Sequence, residues 1–180
     1  MSTLELQHRV EQFYYREARL LDNREYQQWF ALIHPEISYS MPGRSNPMVD
    51  NRERGQESMI SVERELEGVE SEGLPYRDEN YAVLWVRVDR SYKMNSWAEN
   101  PPARTRRIIG NVEILDAGDE SLKVLSNFHL FYARPGLKDF FYAGQRRDQL
   151  VASRDGFQIK RREIVMDIST VNVPTLGIFL

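Results

Sequence analysis

The stretch Leu122-Lys-Val-Leu-Ser-Asn-Phe-His-Leu-Phe-Tyr-Ala-Arg134 decides the fold of this 180-residue chain. Side chains of a β-strand alternate between the two faces of a sheet, so residues two positions apart share a face. In this stretch one face collects the even-numbered residues Leu122, Val124, Ser126, Phe128, Leu130 and Tyr132. The pattern predicts a long strand with that face turned toward a hydrophobic core.

Similar segments lie on both sides of this strand. Four segments rich in β-branched and aromatic residues cover Arg104–Leu115, Leu122–Arg134, Phe140–Val151 and Phe157–Ile168. The turn sequences between them are Gly118-Asp119, Pro135-Gly136 and Asp155-Gly156. Connections this short join antiparallel neighbours, so this part of the chain predicts an antiparallel meander.

The first third of the chain has helical spacing instead. Apolar residues at spacings of three and four form one stripe with Leu6, Val10, Phe13, Leu20 and Leu21, and a second with Tyr26, Trp29, Phe30 and Ile33. We expect Asp22 to cap the second helix and Pro35 to end it, because the residue before a proline avoids the α region. The alternation in Ile37–Met41 then predicts a short strand.

The middle of the chain is less regular. Gln56–Gly73 combines six glutamates with apolar residues at helical spacing, which suits either a helix or a flexible excursion. An apolar stripe from Tyr81 to Tyr92 predicts a helix with Asp78 and Glu79 at its N-terminus, where acidic groups complement the helix dipole. A strand over Val83–Val88 is the alternative.

Helices followed by a meander indicate an α+β fold, in which the N-terminal helices cover one face of a curved antiparallel sheet. The composition, with 41% hydrophobic and 28% charged residues, is that of a globular protein. A domain of this size buries roughly 70% of the surface that its unfolded chain exposes. No internal repeat or low-complexity tract divides the chain, so we expect a single domain over residues 1–180.

Residue counts exclude several classes of function. The chain has no cysteine, which rules out disulfides, a thiolate nucleophile, cysteine-ligated zinc and an iron–sulfur cluster. Its histidines, His8, His34 and His129, are too far apart in sequence to indicate a metal site. A net charge of −3 and the lack of a glycine-rich phosphate loop argue against nucleic-acid binding. The N-terminus does not resemble a signal peptide and no apolar run is long enough for a membrane span, so we expect a cytoplasmic protein.

An acid–base pocket is one functional possibility for such a domain. The available groups are Tyr14, Tyr15, Tyr39, Asp139 and Asp148. The simpler interpretation makes the tyrosines core aromatics and pairs Asp148 with Arg146 or Arg147. An Asp–His or Asp–Tyr pair that converges in a sizeable internal pocket would favour an enzyme.

Apolar and aromatic residues near the chain end indicate contacts with another subunit. The last five residues, Leu176-Gly-Ile-Phe-Leu180, are expected to dock, either as a final strand of the domain's own sheet or as a seam with a second chain. Tryptophan and arginine are common anchors of protein interfaces. The interface candidates are Trp97, Pro101, Pro102, Arg104, Arg106, Arg107, Phe179 and Leu180.

Six motifs follow one another along the chain: Phe13-Tyr-Tyr-Arg-Glu-Ala-Arg-Leu-Leu-Asp22, Trp29-Phe30, Tyr39-Ser-Met-Pro42, Trp97-Ala-Glu-Asn-Pro-Pro-Ala-Arg-Thr-Arg106, Gly110-Asn-Val112 and Phe141-Tyr-Ala-Gly-Gln-Arg-Arg-Asp148. Together with the apolar chain end, they resemble the small (β) subunit of bacterial aromatic-ring-hydroxylating dioxygenases. The likeness is strongest to the biphenyl/toluene-type branch and runs from about Phe13 to Leu180.

This resemblance implies a nuclear-transport-factor-2-like (SnoaL-like) cone and a mostly structural role. It implies self-association as a trimer and assembly with a larger α subunit into an α3β3 hexamer, with the Rieske iron–sulfur cluster and the mononuclear iron held by the α subunit. It assigns no catalytic, cofactor-binding or metal-binding residue to this chain. A Rieske cluster needs two cysteines and two histidines, so the lack of cysteine agrees with that division. The alternatives are a stand-alone cone-fold isomerase or dehydratase and a small-molecule-binding module.

Overall fold

The computed structural model describes residues 3–70, 74–93 and 101–180. Its helices and strands, in chain order, are α1 (Thr3–Asp22), α2 (Tyr26–Phe30), β1 (Ile33–Met41), α3 (Val62–Glu70), β2 (Arg77–Glu79), α4 (Tyr81–Ser91), β3 (Arg104–Ala117), β4 (Ser121–Ala133), β5 (Phe140–Ser153) and β6 (Gly156–Met166). Two short 3-10 helices, Asn51–Glu53 and Glu57–Ile60, lie between β1 and α3. Helices therefore dominate the first half of the chain and strands the second.

Within the described ranges, six strands form one curved sheet in the order β2-β1-β6-β5-β4-β3. Strands β3 to β6 are the predicted antiparallel meander, with Tyr132 paired to Phe140 and Ser153 to Gly156 at two of its hairpins. Strand β1 crosses over to lie parallel to β6 and antiparallel to β2. The predicted α+β class with a curved sheet is confirmed, and the sheet is antiparallel as predicted except where β1 pairs with β6.

Strand β4 has the predicted alternation. Its six even-numbered residues are at most 9% exposed, whereas Lys123 and His129 on the other face are exposed. The inner face of the sheet packs against α1, where Val10, Phe13 and Leu21 are buried. Full burial of one large apolar side chain contributes about 1.5–3 kcal/mol. Helix and sheet thus share the core that the sequence periodicity predicts.

Gly144 of β5 marks a close approach between strands. It lies opposite Phe128 of β4, and a Cβ atom there would come 2.4 Å from the carbonyl oxygen of Val165 and 3.1 Å from the Phe128 ring. Atoms at the first distance would overlap strongly, since carbon contacts are optimal near 3.5–4.0 Å. The glycine therefore lets the Phe128 ring reach the backbone of β5.

The second helix is shorter than its apolar stripe predicts. Helix α2 ends at Phe30, and both Ile33 and Pro35 belong to β1, so the prediction that Pro35 ends a helix is wrong. The pairing of β1 with β6 shifts register between Ile33 and Ser38. Proline is tolerated where a strand lacks a ladder hydrogen bond. The strand predicted over Ile37–Met41 is confirmed and begins earlier.

Asp22 does not cap α2. The residue before that helix is Glu25. The carboxylate of Asp22 instead accepts hydrogen bonds from the Thr105 hydroxyl at 3.0 Å and from the backbone N–H of Arg107 at 2.8 Å. The aspartate therefore ties the end of α1 to β3.

Helix α4 confirms the helical interpretation of its segment over a strand at Val83–Val88. Its cap differs from the prediction, because Asp78 and Glu79 lie in β2 and the side chain of Asn80 accepts from the Val83 N–H at 3.1 Å. Helix α3 likewise agrees with the helical interpretation of the glutamate-rich segment.

The apolar chain end docks inside this chain without forming a strand. After β6 the backbone runs irregularly to Leu180. Phe179 is 4% exposed, and its ring centroid lies 4.5 Å from that of Trp29. Leu180 is fully buried. Both side chains belong to the core between the helices and the sheet.

Candidate functional site: a buried ion cluster

Four charged side chains are buried between α1 and the sheet. We call them the ion cluster: Glu17 of α1, Arg146 and Asp148 of β5, and Arg162 of β6. Two are acids and two are bases, so their charges cancel. Buried charges are tolerated only when they are paired and hydrogen-bonded. The centre of this core is therefore polar, and its stability depends on the pairing of these four charges.

Arg162 is the hub of the ion cluster. Its Nη1 and Nη2 donate to the two carboxylate oxygens of Glu17 at 2.6 and 3.0 Å, and its Nε and Nη2 to those of Asp148 at 2.9 and 2.7 Å. Nη1 also donates to the carbonyl oxygen of Leu180 at 3.2 Å. These contacts use all five N–H groups of a guanidinium. Burial lowers the pKa of Arg162, but the Asp148 and Glu17 carboxylates outweigh that effect and raise it.

Glu17 is held as a carboxylate by three side chains. Besides Arg162, it accepts from Nε1 of Trp29 at 3.0 Å and from Nη1 of Arg146 at 3.1 Å. Burial raises the pKa of Glu17, but Arg162 and Arg146 outweigh burial and lower the pKa to about 2. Glu17 is therefore ionised near neutral pH and cannot donate a proton there.

An aspartate and a tyrosine converge at the edge of this cluster. The Tyr14 hydroxyl donates to Oδ2 of Asp148 at 2.8 Å. Burial, followed by the charge of Asp148, raises the pKa of Tyr14 well above its ordinary value. A general acid works best with a pKa near the working pH, so Tyr14 is a poor proton donor. The prediction that Asp148 pairs with Arg146 or Arg147 is wrong, because its salt bridge is with Arg162.

Protein atoms surround the tyrosine of this Asp–Tyr pair. Tyr14, Glu17 and Arg162 are 0% exposed, so no water-sized cavity touches them in the part of the chain that the structure describes. An open groove of about 540 Å³ reaches Asp148, but it is lined by side chains such as Arg147 on the outer face of the sheet. Among the described residues, the pair is therefore enclosed by protein on the Tyr14 side and meets solvent at the groove that reaches Asp148.

The chain end seals the ion cluster. The Tyr39 hydroxyl donates to the carbonyl oxygen of Leu180 at 2.9 Å and accepts from the Leu180 N–H at 3.0 Å. The same carbonyl accepts from Arg162. Tyr39, which the sequence offers as an acid–base group, instead fixes the backbone of residue 180.

Arg146 is the least satisfied member of the cluster. Its Nε and Nη2 have no partner within the described ranges, and neither has Oγ of Ser126, which lies opposite on β4. Its guanidinium carbon lies 5.3 Å from the Phe128 ring centroid, a cation–π contact. Burial, followed by the nearby Arg162, lowers the pKa of Arg146. The guanidinium therefore depends on Glu17 for its one charged partner among the described residues.

The other candidate groups lie apart from the cluster. Tyr15 is 45% exposed on α1, and Asp139 is exposed between β4 and β5. The three histidines lie on α1, β1 and β4. No three His, Cys, Asp or Glu side chains among the described residues are placed to hold a metal ion. None of the described helices is long and apolar enough to cross a membrane.

The predicted interface residues fall into two groups. The exposed ones are Pro101, Pro102, Arg104 and Arg106. The buried ones are Arg107, Phe179 and Leu180. Arg107 pairs with Asp22 and donates to the carbonyl oxygen of Phe179 at 2.6 Å. Trp97 lies outside the described residues, and an interface role stays a prediction for the whole set.

Sequence reasoning misses Glu17 and Arg162. Glu17 lies at helical spacing between Phe13 and Leu21. An acidic residue on the apolar stripe of α1 is the sequence feature that could have indicated a buried charge. Arg162 is harder to find, because a register shift between Gln149 and Leu150 accompanies its turn to the inner face of β6. Simple alternation along β6 does not predict which of its basic residues is buried.

Comparison with known proteins places this architecture in a family. The family model described as ring hydroxylating beta subunit matches residues 16–173. The benzene 1,2-dioxygenase subunit beta of Pseudomonas putida is 35% identical over 178 residues, covering 97% of this chain and 89% of the relative. The biphenyl 2,3-dioxygenase subunit beta of Rhodococcus jostii (strain RHA1) is 35% identical over 177 residues, covering 97% and 88%.

A solved structure of naphthalene 1,2-dioxygenase with indole bound in the active site has the same fold. Its TM-score is 0.81 at 22% sequence identity, and the match covers 100% of this chain and 88% of that chain. The predicted cone fold is thereby confirmed. Because the family model matches most of its length and its relatives are 35% identical, this chain belongs to the ring-hydroxylating β-subunit family.

Proposed function

We propose that this chain is the structural β subunit of an aromatic-ring-hydroxylating dioxygenase, and that a separate α subunit carries out the cis-dihydroxylation. The observation that supports a role without catalysis is the filled interior. The ion cluster and the chain end occupy the centre of the cone, where a cone-fold enzyme would need room for its substrate. Relatives named as β subunits of benzene and biphenyl dioxygenases support the same assignment.

A filled polar core suits a subunit whose task is to hold a shape. Hydrogen bonds to charged groups are directional, so a buried side chain whose donors are all used is held rigidly in a low-dielectric interior. Here Arg162 connects α1, β5, β6 and the chain end through its five donors. The four segments are thereby fixed relative to one another.

The proposal extends to the assembly. A β subunit requires an α partner, and we expect an α3β3 hexamer built around a trimer of this chain. The Rieske iron–sulfur cluster and the mononuclear iron would belong to the α subunit. A single domain over residues 1–180 and a cytoplasmic location are part of the same proposal.

A stand-alone isomerase or dehydratase is the second candidate. The contact between Tyr14 and Asp148 favours it, since that pair is the acid–base arrangement a cone-fold enzyme would use. The high pKa of Tyr14 and the two contacts from Arg162 to Asp148 count against it.

Tyr14→Phe in the assembled dioxygenase tests whether the Tyr14–Asp148 pair takes part in arene oxidation; a stand-alone enzyme would instead show itself as turnover by the lone chain that Tyr14→Phe abolishes. The substitution deletes the hydroxyl and keeps the ring, so we expect a loss of about 1.5–3 kcal/mol of stability for a hydrogen bond to a charged group and an unchanged kcat/KM for arene oxidation. Tyr15→Phe, at the exposed neighbouring position, is the matched control. If Tyr14→Phe lowered turnover by the roughly 100-fold or more that loss of an acid–base group causes, in an intact complex, the structural role would be wrong.

A further inference from the structure

A second feature lies apart from the ion cluster, in a pocket beside the chain end. Its volume is about 270 Å³, and four arginines line it: Arg77 of β2, Arg87 and Arg90 of α4, and Arg107 of β3. We call it the arginine pocket. Its lining among the described residues contains no Asp or Glu, and the polar side chains of Thr105 and Tyr132 complete the wall.

The charges of the arginine pocket do not balance. Glu79, which is not part of the lining, forms salt bridges with both Arg77 and Arg87, the first at 2.7 Å. Asp22 pairs with Arg107. Arg90 is exposed and forms no ion pair with any described residue. Four guanidinium groups thus meet two carboxylates, an excess of positive charge in a molecule whose net charge is −3.

One arginine of the pocket wall, Arg107, is almost fully buried. The Arg107 side chain is only 3% exposed, and its Nε has no hydrogen-bond partner within the described ranges. Its other nitrogens are used by Asp22, Thr105 and the Phe179 carbonyl. Arg107 therefore contributes its charge to the wall of the pocket, while its Nε is buried behind that wall.

We propose that the arginine pocket binds a carboxylate supplied from outside this chain, in the first place an acidic side chain of the α subunit. Arginine forks match carboxylates in geometry as well as charge, and a half-enclosed site strengthens the attraction. The pocket and the predicted interface share the start of β3: Ala103 and Thr105 belong to the lining, and their chain neighbours Pro102, Arg104 and Arg106 alternate with them and present their side chains to the opposite face. The α-subunit source rests on the proposed function, whereas the carboxylate chemistry does not.

Arg90→Glu tests the partner source. Arg90 forms no ion pair with any described residue. The substitution therefore replaces a positive charge of the pocket with a negative one and breaks no ion pair between described residues. The matched control is Arg154→Glu, because Arg154 is exposed at the β5–β6 turn, at the far end of the sheet from Thr105. We expect Arg90→Glu to weaken binding to the purified α subunit at least tenfold at low salt, and Arg154→Glu to change it less than twofold.

Succinate, a small dicarboxylate, tests the chemistry without any α subunit. Titrated into the purified chain at constant ionic strength, it should bind the wild type and Arg154→Glu and bind Arg90→Glu at least tenfold more weakly. Succinate binding that depends on Arg90, with α-subunit binding unaffected, would identify a free carboxylate as the ligand. No Arg90 dependence in either measurement would overturn the proposal.

One further outcome would also overturn it. Glu99 lies outside the described residues and is an acid of this chain itself. If succinate bound Glu99→Gln but not the wild type, the carboxylate would come from within the chain. A different observation would contradict the proposed function, namely turnover of an arene or another substrate by the chain without an α subunit. That observation would not affect the succinate measurements.

Discussion

Glu17 holds two buried arginines at once. It receives both Nη groups of Arg162, Nη1 of Arg146 and the indole N–H of Trp29. Removing one partner of a buried ion pair costs about 3–5 kcal/mol, because the remaining charge stays buried without compensation. Such a loss is large against the roughly 5–15 kcal/mol that stabilises a typical domain.

Glu17→Gln should therefore destabilise the chain by about 3–5 kcal/mol, although it keeps the size of the side chain. For a domain of this length that corresponds to a fall in Tm of roughly 10 °C. Thermal unfolding followed by circular dichroism measures it. Glu120→Gln, at an exposed acid in the β3–β4 turn, is the control. Equal Tm values for the two variants would contradict the pairing of Glu17 with the two arginines.

Acid should remove the contribution of Glu17 in a defined pH window. Its pKa is about 2 in the folded chain against an ordinary value of 4.5, so below pH 4.5 the unfolded state binds a proton more readily. The stabilisation is then complete above about pH 4.5 and is lost as the pH falls toward 2. Urea unfolding between these limits should show the wild type and Glu17→Gln converging as pH falls. A constant gap between them would rule the mechanism out.

At the scale of elements, the meander was predictable and the first crossover was not. Strands β3 to β6 end within two residues of their predicted limits, because alternation and turn residues act locally. The stripe through Ile33 reads as helix, yet Ile33 joins β1, because pairing with β6 is a tertiary contact. Tyr14 and Asp148 were individually recognisable as polar groups. Their contact spans 134 positions, and no local pattern encodes it.

Close packing around Gly144, where β5 lies between β4 and β6, makes a matched pair of glycine variants possible. In Gly144→Ala the new Cβ would collide with the backbone carbonyl of Val165, whereas a Cβ added at Gly110 would meet nothing within 4 Å among the described residues. Overpacking of this kind typically costs about 1–3 kcal/mol, so roughly that loss is expected for Gly144→Ala. Gly110→Ala should be neutral or slightly stabilising. Chemical denaturation compares the two variants, and equal stabilities would show that β5 and β6 can move apart at Gly144 without cost.

At the scale of the whole molecule, the exposed residues 101, 102, 104 and 106 form one edge that the fold leaves uncovered. Arg104→Ala at this edge should weaken assembly with the α subunit by about 2 kcal/mol or more, as truncation of an interface anchor does, and leave the Tm of the separate chain unchanged. Size-exclusion chromatography of co-expressed subunits measures the effect, with Arg154→Ala as the control. Normal hexamer formation by Arg104→Ala would remove this residue from the interface.

The ion cluster also bears on when a newly made chain becomes competent. Glu17 and Arg162 are 145 positions apart. During synthesis, most of the polypeptide must therefore be made after Glu17 before Arg162 is available to pair with it. Contacts between such distant residues form late, because closing a long loop costs entropy. We therefore expect incomplete chains to lack a stable core, so that only full-length chains can assemble with other subunits.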